Sequence, residues 1–285
     1  MRSVLTVRPL VLGGTGKTGR RVAARLAALG VPVRVGSRTG EPPFDWDDRR
    51  TWVRALDGTD RVYITYQPDL AFPGAAEAIR SFAELAVALG ARRLVLLSRR
   101  GEDGAAVAEQ ARRESGADWT TVRASWLSQS FSEGLLLAPV VSGRVALPAR
   151  QVGEPFVDAR DVADVVVAAL TQDGHGGRVY DVTGPRLLTF AEAVEEIAEA
   201  ARREIRLDRV SIEEYSCLLT AERLPIVFIS LLRYLFFEVL DGRNASLADG
   251  VQRALGREPR DFAVYARDAA ATGVWHSVRM EERSR

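Results

Sequence analysis

The feature that most constrains this chain is a run of glycines, GGTGKTG at residues 13–19, between a short apolar run and an amphipathic stretch. The spacing Gly13-x-x-Gly16-x-x-Gly19 is that of turns in which a pyrophosphate lies on a helix N-terminus. A P-loop would need a glycine five residues before Gly16, and that position is Val11. We therefore predict a dinucleotide-binding turn, with a purely structural glycine turn as the alternative.

Around this turn, short β-branched runs alternate with helical runs through the first half of the chain. We predict strands over residues 9–14, 31–38, 61–66, 93–98 and 119–125, and helices over residues 18–29, 48–56, 74–89 and 105–115. Strands separated by helices indicate parallel βαβ units. The predicted fold class is α/β, a Rossmann-type doubly wound parallel sheet.

The later part of the chain is less regular. We expect residues 156–170 to form a short extended piece that Asp158 caps into a helix, and residues 178–184 to form a strand. Thr189 and Glu192 then form a T-x-x-E capping box that opens another helix, to about Arg203. The remaining sequence is mostly helical. The predicted division is a Rossmann-type domain over 1–183, which allows a substrate-side excursion near 134–154, and a mainly helical substrate-binding or lid region over 184–285.

The end of the second predicted strand, Gly36-Ser37-Arg38, bears on the choice of dinucleotide. An acidic residue there would bind the ribose 2′-hydroxyl of NAD, whereas an arginine accommodates the 2′-phosphate of NADP. No carboxylate precedes Glu41, and the guanidinium of Arg38 carries a planar set of donors suited to phosphate. The sequence favours NADP(H), with Lys17 as a further phosphate contact; the alternative is that Arg38 is simply solvated.

Composition excludes several classes of protein. The 39 basic and 38 acidic residues leave a net charge of +1, so we predict neither nucleic-acid nor membrane binding. Cys217 is the only cysteine and the chain has two histidines, so we predict no disulfide and no metal site. A lone cysteine fits the reducing cytoplasm, and the first fourteen residues lack a signal peptide's apolar core. The apolar stretch 224–240 is too short and too charged to span a bilayer.

Five segments carry a resemblance to a known family: GGTGKTG, Phe44-Asp45-Trp46, LLSRRGE at 96–102, SGADWTTVRAS at 115–125 and YDVTGPRLLTFAEA at 180–193. Together they resemble the atypical short-chain dehydrogenase/reductases, in the NmrA-like, quinone-oxidoreductase-like branch common in actinomycetes. The resemblance covers nearly the whole chain and implies an NADP-binding fold with a C-terminal substrate region. Relatives often have Asn-Phe where this chain has Ser130-Phe131, so a role carried by that asparagine is not expected here.

The glycine turn, the second strand and the resemblance together give the predicted cofactor site. Its residues are Gly13, Thr15, Gly16, Lys17, Thr18, Gly19, Ser37, Arg38, Asp45, Trp46, Thr65, Gln67, Ala124, Ser125 and Trp126. Those from Asp45 onward are assigned by the resemblance, as is a cofactor contact for Tyr66.

The usual proton donor of the superfamily is missing. Its members reduce carbonyls with a Tyr-x-x-x-Lys pair, but the only lysine here is Lys17, and none of the six tyrosines precedes it. Hydride transfer needs only the nicotinamide positioned against a carbonyl. The candidate catalytic residues are Ser98 and Tyr66, with ring packing or a cofactor contact as the alternative role for Tyr66. Otherwise the proton comes from a phenol on the substrate, acting intramolecularly, or from water.

The segment 225–240, PIVFISLLRYLFFEVL, is apolar around most of a helix, which normally indicates burial. It is either a core or oligomer helix or the wall of a site for a large flat apolar substrate, with Phe228, Tyr234 and Phe237 as substrate-binding residues. Asp158 and Asp161 could form a catalytic carboxylate pair, but helix capping with solvent exposure explains them better.

Three functions remain open. The favoured one is an NADPH-dependent ketoreductase acting on a bulky aromatic, polyketide-type ketone, because the apolar C-terminal region suits such a substrate. The second is an NADPH-dependent quinone or imine reductase, and the third is a non-catalytic redox sensor that binds NADP(H). The oligomeric state stays open.

Overall fold

The computed structural model of the chain describes residues 8–113 and 115–276. The prediction that no signal peptide is present rests partly on residues 1–7, which lie outside the described residues. The chain forms two compact units, each discontinuous along the sequence. Unit 1 comprises the described part of Met1–Ser125 with Ala159–Thr183 and Ala248–Pro259, and unit 2 comprises Trp126–Asp158, Gly184–Leu247 and the described part of Arg260–Arg285. The sequence-based division at residue 183 stays a prediction.

Eight strands are present in the described residues. They are β1 Pro9–Leu12, β2 Arg34–Gly36, β3 Arg61–Ile64, β4 Arg93–Arg99, β5 Asp118–Ala124, β6 Arg144–Leu147, β7 Arg178–Val182 and β8 Arg206–Arg209. The helices are α1 Gly19–Ala28, α2 Arg50–Leu56, α3 Ala75–Ala88, α4 Asp103–Arg113, α5 Ser130–Glu133, α6 Leu137–Ser142, α7 Ala159–Thr171, α8 Phe190–Ala201, α9 Ile212–Ala221, α10 Ile226–Tyr234, α11 Gly250–Leu255 and α12 Phe262–Ala271. A π-helical turn, Leu235–Val239, continues directly from α10.

The sheet of unit 1 has six strands in the order β2-β1-β3-β4-β5-β7, and every neighbouring pair is parallel. The predicted Rossmann-type sheet is therefore confirmed. The chain runs outward from β1 in both directions, to β2 on one side and to β3 on the other. In such sheets the connections leave a crevice at the carboxyl ends of the strands beside the reversal, and ligands bind there.

The strands of this sheet lie in the core of unit 1. Leu10, Leu12, Ile64 and Leu96 are fully buried, as expected for strands covered on both faces. On one face they belong to a cluster with helix residues such as Phe82. Burial of these apolar side chains is the main stabilising contribution to the unit.

Unit 2 has its own core and a two-stranded parallel sheet of β6 and β8. Five phenylalanines form the centre of this core, and neighbouring rings lie 5.0–6.0 Å apart in tilted or edge-to-face pairs; they are Phe131, Phe156, Phe190, Phe236 and Phe262. Among the residues that the structure covers, no helix is long and apolar enough to cross a membrane. In the same part of the chain, no three His, Cys, Asp or Glu side chains gather as a metal site would require.

The predicted capping box at the start of α8 is confirmed. The hydroxyl of Thr189 accepts from the Glu192 backbone N–H at 3.2 Å, and the Glu192 carboxylate accepts from the Thr189 N–H at 2.7 Å. We expect Thr189→Ala to lower the free energy of unfolding by about 1 kcal/mol, because the Glu192 N–H loses its acceptor and the Glu192 carboxylate loses the hydroxyl that donates to it. Urea unfolding followed by circular dichroism measures this loss. Thr189→Ser keeps the hydroxyl and should unfold like the wild type; equal stability of the alanine variant would contradict the prediction.

Candidate functional site

The carboxyl ends of three neighbouring strands converge on the first glycine of the turn. Gly13 follows β1 with a φ of +61°, a left-handed conformation that glycine adopts without strain. Its N–H donates to the carbonyl of Gly36, the last residue of β2, at 3.0 Å. A Cβ at Gly13 would lie only 2.4 Å from Oγ1 of Thr65, which follows β3. Only glycine lets these three strand ends meet.

The other two glycines bring the start of α1 against this turn. A Cβ at Gly19 would lie 2.2 Å from the carbonyl oxygen of Gly13, and one at Gly16 would lie 3.2 Å from the same atom. Helix α1 has ten residues and no acidic side chain in its first turn. The partial positive charge of its N-terminus is therefore not offset locally, which is the condition for binding a phosphate group.

Thr18 and Lys17 of the loop accept hydrogen bonds from neighbouring side chains. The buried hydroxyl of Tyr63 on β3 donates to Oγ1 of Thr18 at 3.0 Å, and burial raises the pKa of Tyr63 above its usual range. Arg21 donates to the backbone carbonyl of Lys17 at 2.7 Å. Thr15 is exposed and Lys17 is half-buried. The protein's own side chains therefore contact the loop at Thr18 and at the Lys17 carbonyl.

Arg38 lies on the surface just beyond β2. The carbonyl of Ser37 accepts from the N–H groups of Gly40 and Phe44, at 3.1 and 2.9 Å, and so closes the turn after the strand. Among the described residues Arg38 has no hydrogen bond or ion pair, and its side chain is exposed. Its guanidinium is therefore available to an anionic ligand.

The Asp45-Trp46 segment is tied to the end of β3. The indole Nε1–H of Trp46 donates to the carbonyl of Thr65 at 3.0 Å, and its ring lies 5.0 Å from that of Tyr66. The Asp45 carboxylate accepts from the Asp47 N–H at 3.1 Å. These polar groups hold the protein's own loops together, so cofactor contacts for Asp45 and Trp46 stay predictions.

The phenol of Tyr66 is a weaker acid here than an ordinary tyrosine. Burial, with a smaller contribution from the charge of Asp47, raises the pKa of its phenol, and no lysine lies in the adjoining sequence to lower it. Gln67, the next residue, is exposed. Catalytic use of Tyr66 stays a prediction, and its ring contact with Trp46 is the role that the geometry shows.

The hydroxyl of Ser98 at the end of β4 is engaged within unit 1. It donates to Oε1 of Glu109 at 2.7 Å, and Arg123 makes two 2.8 Å hydrogen bonds to the same carboxylate. Burial opposes ionisation of Glu109, but the hydrogen bonds from Arg123 and Ser98 hold its pKa below the usual value. Since the Ser98 hydrogen is committed to an ionised acceptor, Ser98 could only accept a hydrogen bond from a ligand.

Buried hydroxyl groups near the end of β5 lack partners. The Ser125 N–H donates to the carbonyl of Val182 at 3.1 Å, while its Oγ, like that of Ser128 in unit 2, has no hydrogen-bond partner among the described residues. The buried indole Nε1 of Trp126 also lacks one there. Buried polar atoms are nearly always hydrogen-bonded. The unpaired Ser125 hydroxyl, just after Ala124, could therefore form a hydrogen bond with a polar group of a dinucleotide. The sequence did not single out Ser128, because a serine outside a motif carries no signal.

Of the alternatives for residues 225–240, a helix buried on all sides is wrong, whereas the exposed side leaves an oligomer helix or the wall of a substrate site open. Ile229, Leu235 and Phe236 are buried in unit 2, whereas Phe228 is 45% exposed and Phe237 is 54% exposed. One side of α10 and of the π-helical turn packs on the core of unit 2. The opposite side faces solvent. Tyr234 is half-buried. Substrate binding by Phe228, Tyr234 and Phe237 stays a prediction.

The expected solvent exposure of Asp158 and Asp161 is also wrong. Both carboxylates are buried. Asp158 accepts from Nε2 of Gln129 at 2.8 Å in unit 2, and Asp161 accepts from Arg257 at 2.7 Å in unit 1. Partners distant in sequence make this burial tolerable, which local sequence reasoning cannot foresee.

Comparison with known proteins places the chain among reductases. No family model matches the chain. It is 30% identical over 280 residues to the uncharacterized oxidoreductase YesF of Bacillus subtilis, covering 94% of this chain and 96% of that one. It is 32% identical over 298 residues to a (4-alkanoyl-5-oxo-2,5-dihydrofuran-3-yl)methyl phosphate reductase of Streptomyces griseus, covering 92% and 97%.

Solved structures show the same fold at lower identity. The Citrobacter sp. triphenylmethane reductase in complex with NADP(H) superposes with a TM-score of 0.72 at 18% identity, covering 92% of this chain and 99% of that one. An NADPH-dependent quinone oxidoreductase of Escherichia coli in complex with NADPH gives the same TM-score, identity and coverage. The two relatives at 30% and 32% identity, matched over nearly their whole length, show that the chain belongs to the NmrA-like, atypical short-chain dehydrogenase/reductase family of oxidoreductases.

Proposed function

We propose that the protein is an NADPH-dependent ketoreductase that reduces a carbonyl of a bulky aromatic substrate of the polyketide type. The observation that carries this proposal is the exposed apolar surface of unit 2, which includes Phe228 and Phe237 and the 73% exposed Ile226. Several large apolar side chains left exposed within one short segment are a common feature of binding surfaces. A reductase of small polar ketones would have no need of them.

NADP(H) is the cofactor in this proposal. The N-terminus of α1 and Lys17 would hold the pyrophosphate, Arg38 the 2′-phosphate, and the Ser125 hydroxyl a polar group of the cofactor. The reduced nicotinamide supplies the hydride. Gly13 lets the loop adopt the conformation that binds the cofactor. Arg38 provides the positive charge that distinguishes NADPH from NADH.

The substrate class we propose is the angucyclinones, as for the ketoreductase of simocyclinone biosynthesis, and the place of action is the cytoplasm. The sequence suggests a phenol beside the reacting ketone, or water, as the proton source. A phenol has the same acid strength as a tyrosine side chain and would act within the bound molecule.

A quinone or imine reductase is the second candidate, favoured by the names of several relatives. One is an NAD(P)H azoreductase of Xenophilus azovorans, 28% identical over 285 residues. The exposed apolar surface of unit 2 suits flat quinones as well as polycyclic ketones, so substrate trials must separate the two activities.

Oxidation of NADPH by the purified protein tests the proposal. We expect turnover with a polycyclic ketone that carries a neighbouring phenol, and little with simple quinones or cyclic imines. Product analysis should show the secondary alcohol. Turnover of quinones alone would favour the second candidate, and NADPH binding without any turnover would favour a redox sensor. An undiminished rate with the methyl ether of the phenol would remove the substrate phenol as the proton source.

A further inference from the structure

An exposed aromatic ring and an exposed guanidinium meet on the surface of unit 2. Arg150 lies shortly after the end of β6, and its guanidinium carbon is 5.3 Å from the centre of the Phe237 ring. Phe237 is 54% exposed on the π-helical turn, and Arg150 is exposed as well. A guanidinium over the face of a phenylalanine is attracted to the ring. The positive charge of Arg150 is therefore held on the side of the turn that the core leaves uncovered.

The donors of Arg150 are not used by the protein. Within residues 8–113 and 115–276 its guanidinium makes no hydrogen bond and no ion pair. Glu238, the residue after Phe237, is exposed and does not pair with Arg150 there. An arginine carries a planar fork of N–H donors that matches the geometry of a carboxylate. A free fork beside an apolar ring suits a ligand that combines an aromatic surface with an anion.

A second arginine adds positive charge at the same edge of the small sheet. Strands β6 and β8 are parallel, and Leu147 at the end of β6 pairs with Arg209 at the end of β8. With its amide oxygen turned towards the guanidinium, Gln151 accepts hydrogen bonds from both Nη atoms of Arg209, at 3.0 and 3.3 Å. A neutral amide does not cancel a charge, and Arg209 has no ion pair in the described part of the chain. Since Gln151 follows Arg150 directly, both positive charges lie at the carboxyl edge of this sheet.

We propose that the substrate is an aromatic ketone that carries a carboxylate, and that Arg150 binds this carboxylate while Phe237 contacts the rings. The inference rests on the proposed ketoreductase function and specifies the charge of its substrate. The exposed apolar side chains of unit 2 suit a large aromatic body, but they do not distinguish an acid from a neutral ketone. The unpaired guanidinium does, because a neutral ligand that covered Arg150 would desolvate its charge without providing a partner.

Arg150→Ala tests the proposal with two substrates, a tetrahydroanthracenone carboxylic acid and its methyl ester, which differ in charge but little in shape. We expect the variant to raise KM for the acid about 10-fold, near the low end for hydrogen bonds to a charged group, because the guanidinium is exposed. The KM for the ester should stay within about twofold of wild type. Since the carboxylate takes no part in hydride transfer, kcat should change little with either ketone.

Arg202→Ala is the matched control. Arg202 is an exposed arginine of unit 2 that follows α8, and its side chain makes no hydrogen bond, ion pair or ring contact among the described residues. Its loss should leave both KM values unchanged. Arg150→Lys keeps the charge without the planar fork, so its KM for the acid should lie between those of wild type and Arg150→Ala. In the wild type this KM should rise with salt, and in Arg150→Ala it should rise less.

Binding without turnover tests the inference separately from the proposed function. Anthracenecarboxylic acid and its methyl ester contain no ketone, so a calorimetric titration with either one reports binding alone. We expect the acid to bind the wild type about 10-fold more tightly than it binds Arg150→Ala. The ester should bind both proteins with equal affinity.

The outcomes distinguish failure of the inference from failure of the proposed function. Reduction of both ketones with equal or unchanged KM values in Arg150→Ala would overturn the inference and leave the ketoreductase function standing. A wild-type protein that reduces neither ketone but binds anthracenecarboxylic acid through Arg150 would refute the ketoreductase function and still support an acidic aromatic ligand. A dimer in sedimentation that Phe237→Glu dissociates, with no Arg150-dependent binding of the acid, would show that a second copy of the chain covers this side and would overturn the inference.

Discussion

Gly19→Ala should weaken NADPH binding by at least about 100-fold, a cost of roughly 2.8 kcal/mol. The new Cβ would lie 2.2 Å from the carbonyl oxygen of Gly13, 2.7 Å from its carbon and 2.9 Å from Cα of Gly14. All three are backbone atoms, so no side-chain rotation relieves the clash. The start of α1 must move away from the turn, and its N–H groups no longer point at the pyrophosphate. A fluorescence titration with NADPH measures the loss.

Two other glycines serve as controls for this variant. Gly30 follows α1 with a φ of +71° and open space around its Cβ position, so Gly30→Ala costs about 1–2 kcal/mol of backbone strain without touching the turn. We expect lower stability and unchanged NADPH affinity. Gly16→Ala, with its contact at 3.2 Å, should give an intermediate loss of affinity. NADPH binding by a folded Gly19→Ala protein at wild-type strength would refute the assigned cofactor turn.

Arg38→Ala should lower the affinity for NADPH about 10- to 100-fold and leave NADH binding nearly unchanged. Hydrogen bonds to charged groups contribute about 1.5–3 kcal/mol, and only NADPH carries the 2′-phosphate that Arg38 would contact. Dissociation constants for both cofactors, measured at low and high salt, test this expectation. The preference for NADPH should shrink as salt screens the charge.

Arg92→Ala is the matched control for Arg38→Ala. Arg92 is also exposed, but it lies just before β4, at the amino-terminal edge of the sheet, away from the ligand-binding edge. Its loss should leave both affinities unchanged. Equal weakening of NADPH and NADH by Arg38→Ala would show that Arg38 does not select the cofactor, and another residue would then have to bind the 2′-phosphate.

The sequence was most informative where a local pattern has one physical cause. The alternation of strands and helices predicts a parallel sheet because each βαβ connection is right-handed and packs back on the sheet. The glycine spacing predicts the turn because a side chain at Gly13 or Gly19 would lie too close to neighbouring atoms, and Gly16 leaves little room for one. The Thr189 capping box could be predicted from sequence because both partners lie within one turn of helix. Each of these signals involves residues close together in the chain.

The sequence was least informative where function depends on contacts between distant segments. The engagement of Ser98 by Glu109 joins a strand to the helix after it, and the burial of Asp161 depends on Arg257, 96 residues away. The one-sided exposure of Phe237 depends on how far the core of unit 2 extends. A hydrophobic pattern cannot reveal where such a core ends.

The proton donor for reduction shows what the sequence determines and what only the structure decides. By itself the sequence determined the fold class and the absence of a Tyr/Lys pair and predicted the cofactor turn, because these follow from residue identity and short-range spacing. Only the tertiary structure decided that burial raises the pKa of Tyr66 and that the Ser98 hydroxyl donates to Glu109. The physical reason is that acidity depends on burial and neighbouring charge, which exist only once distant strand ends meet.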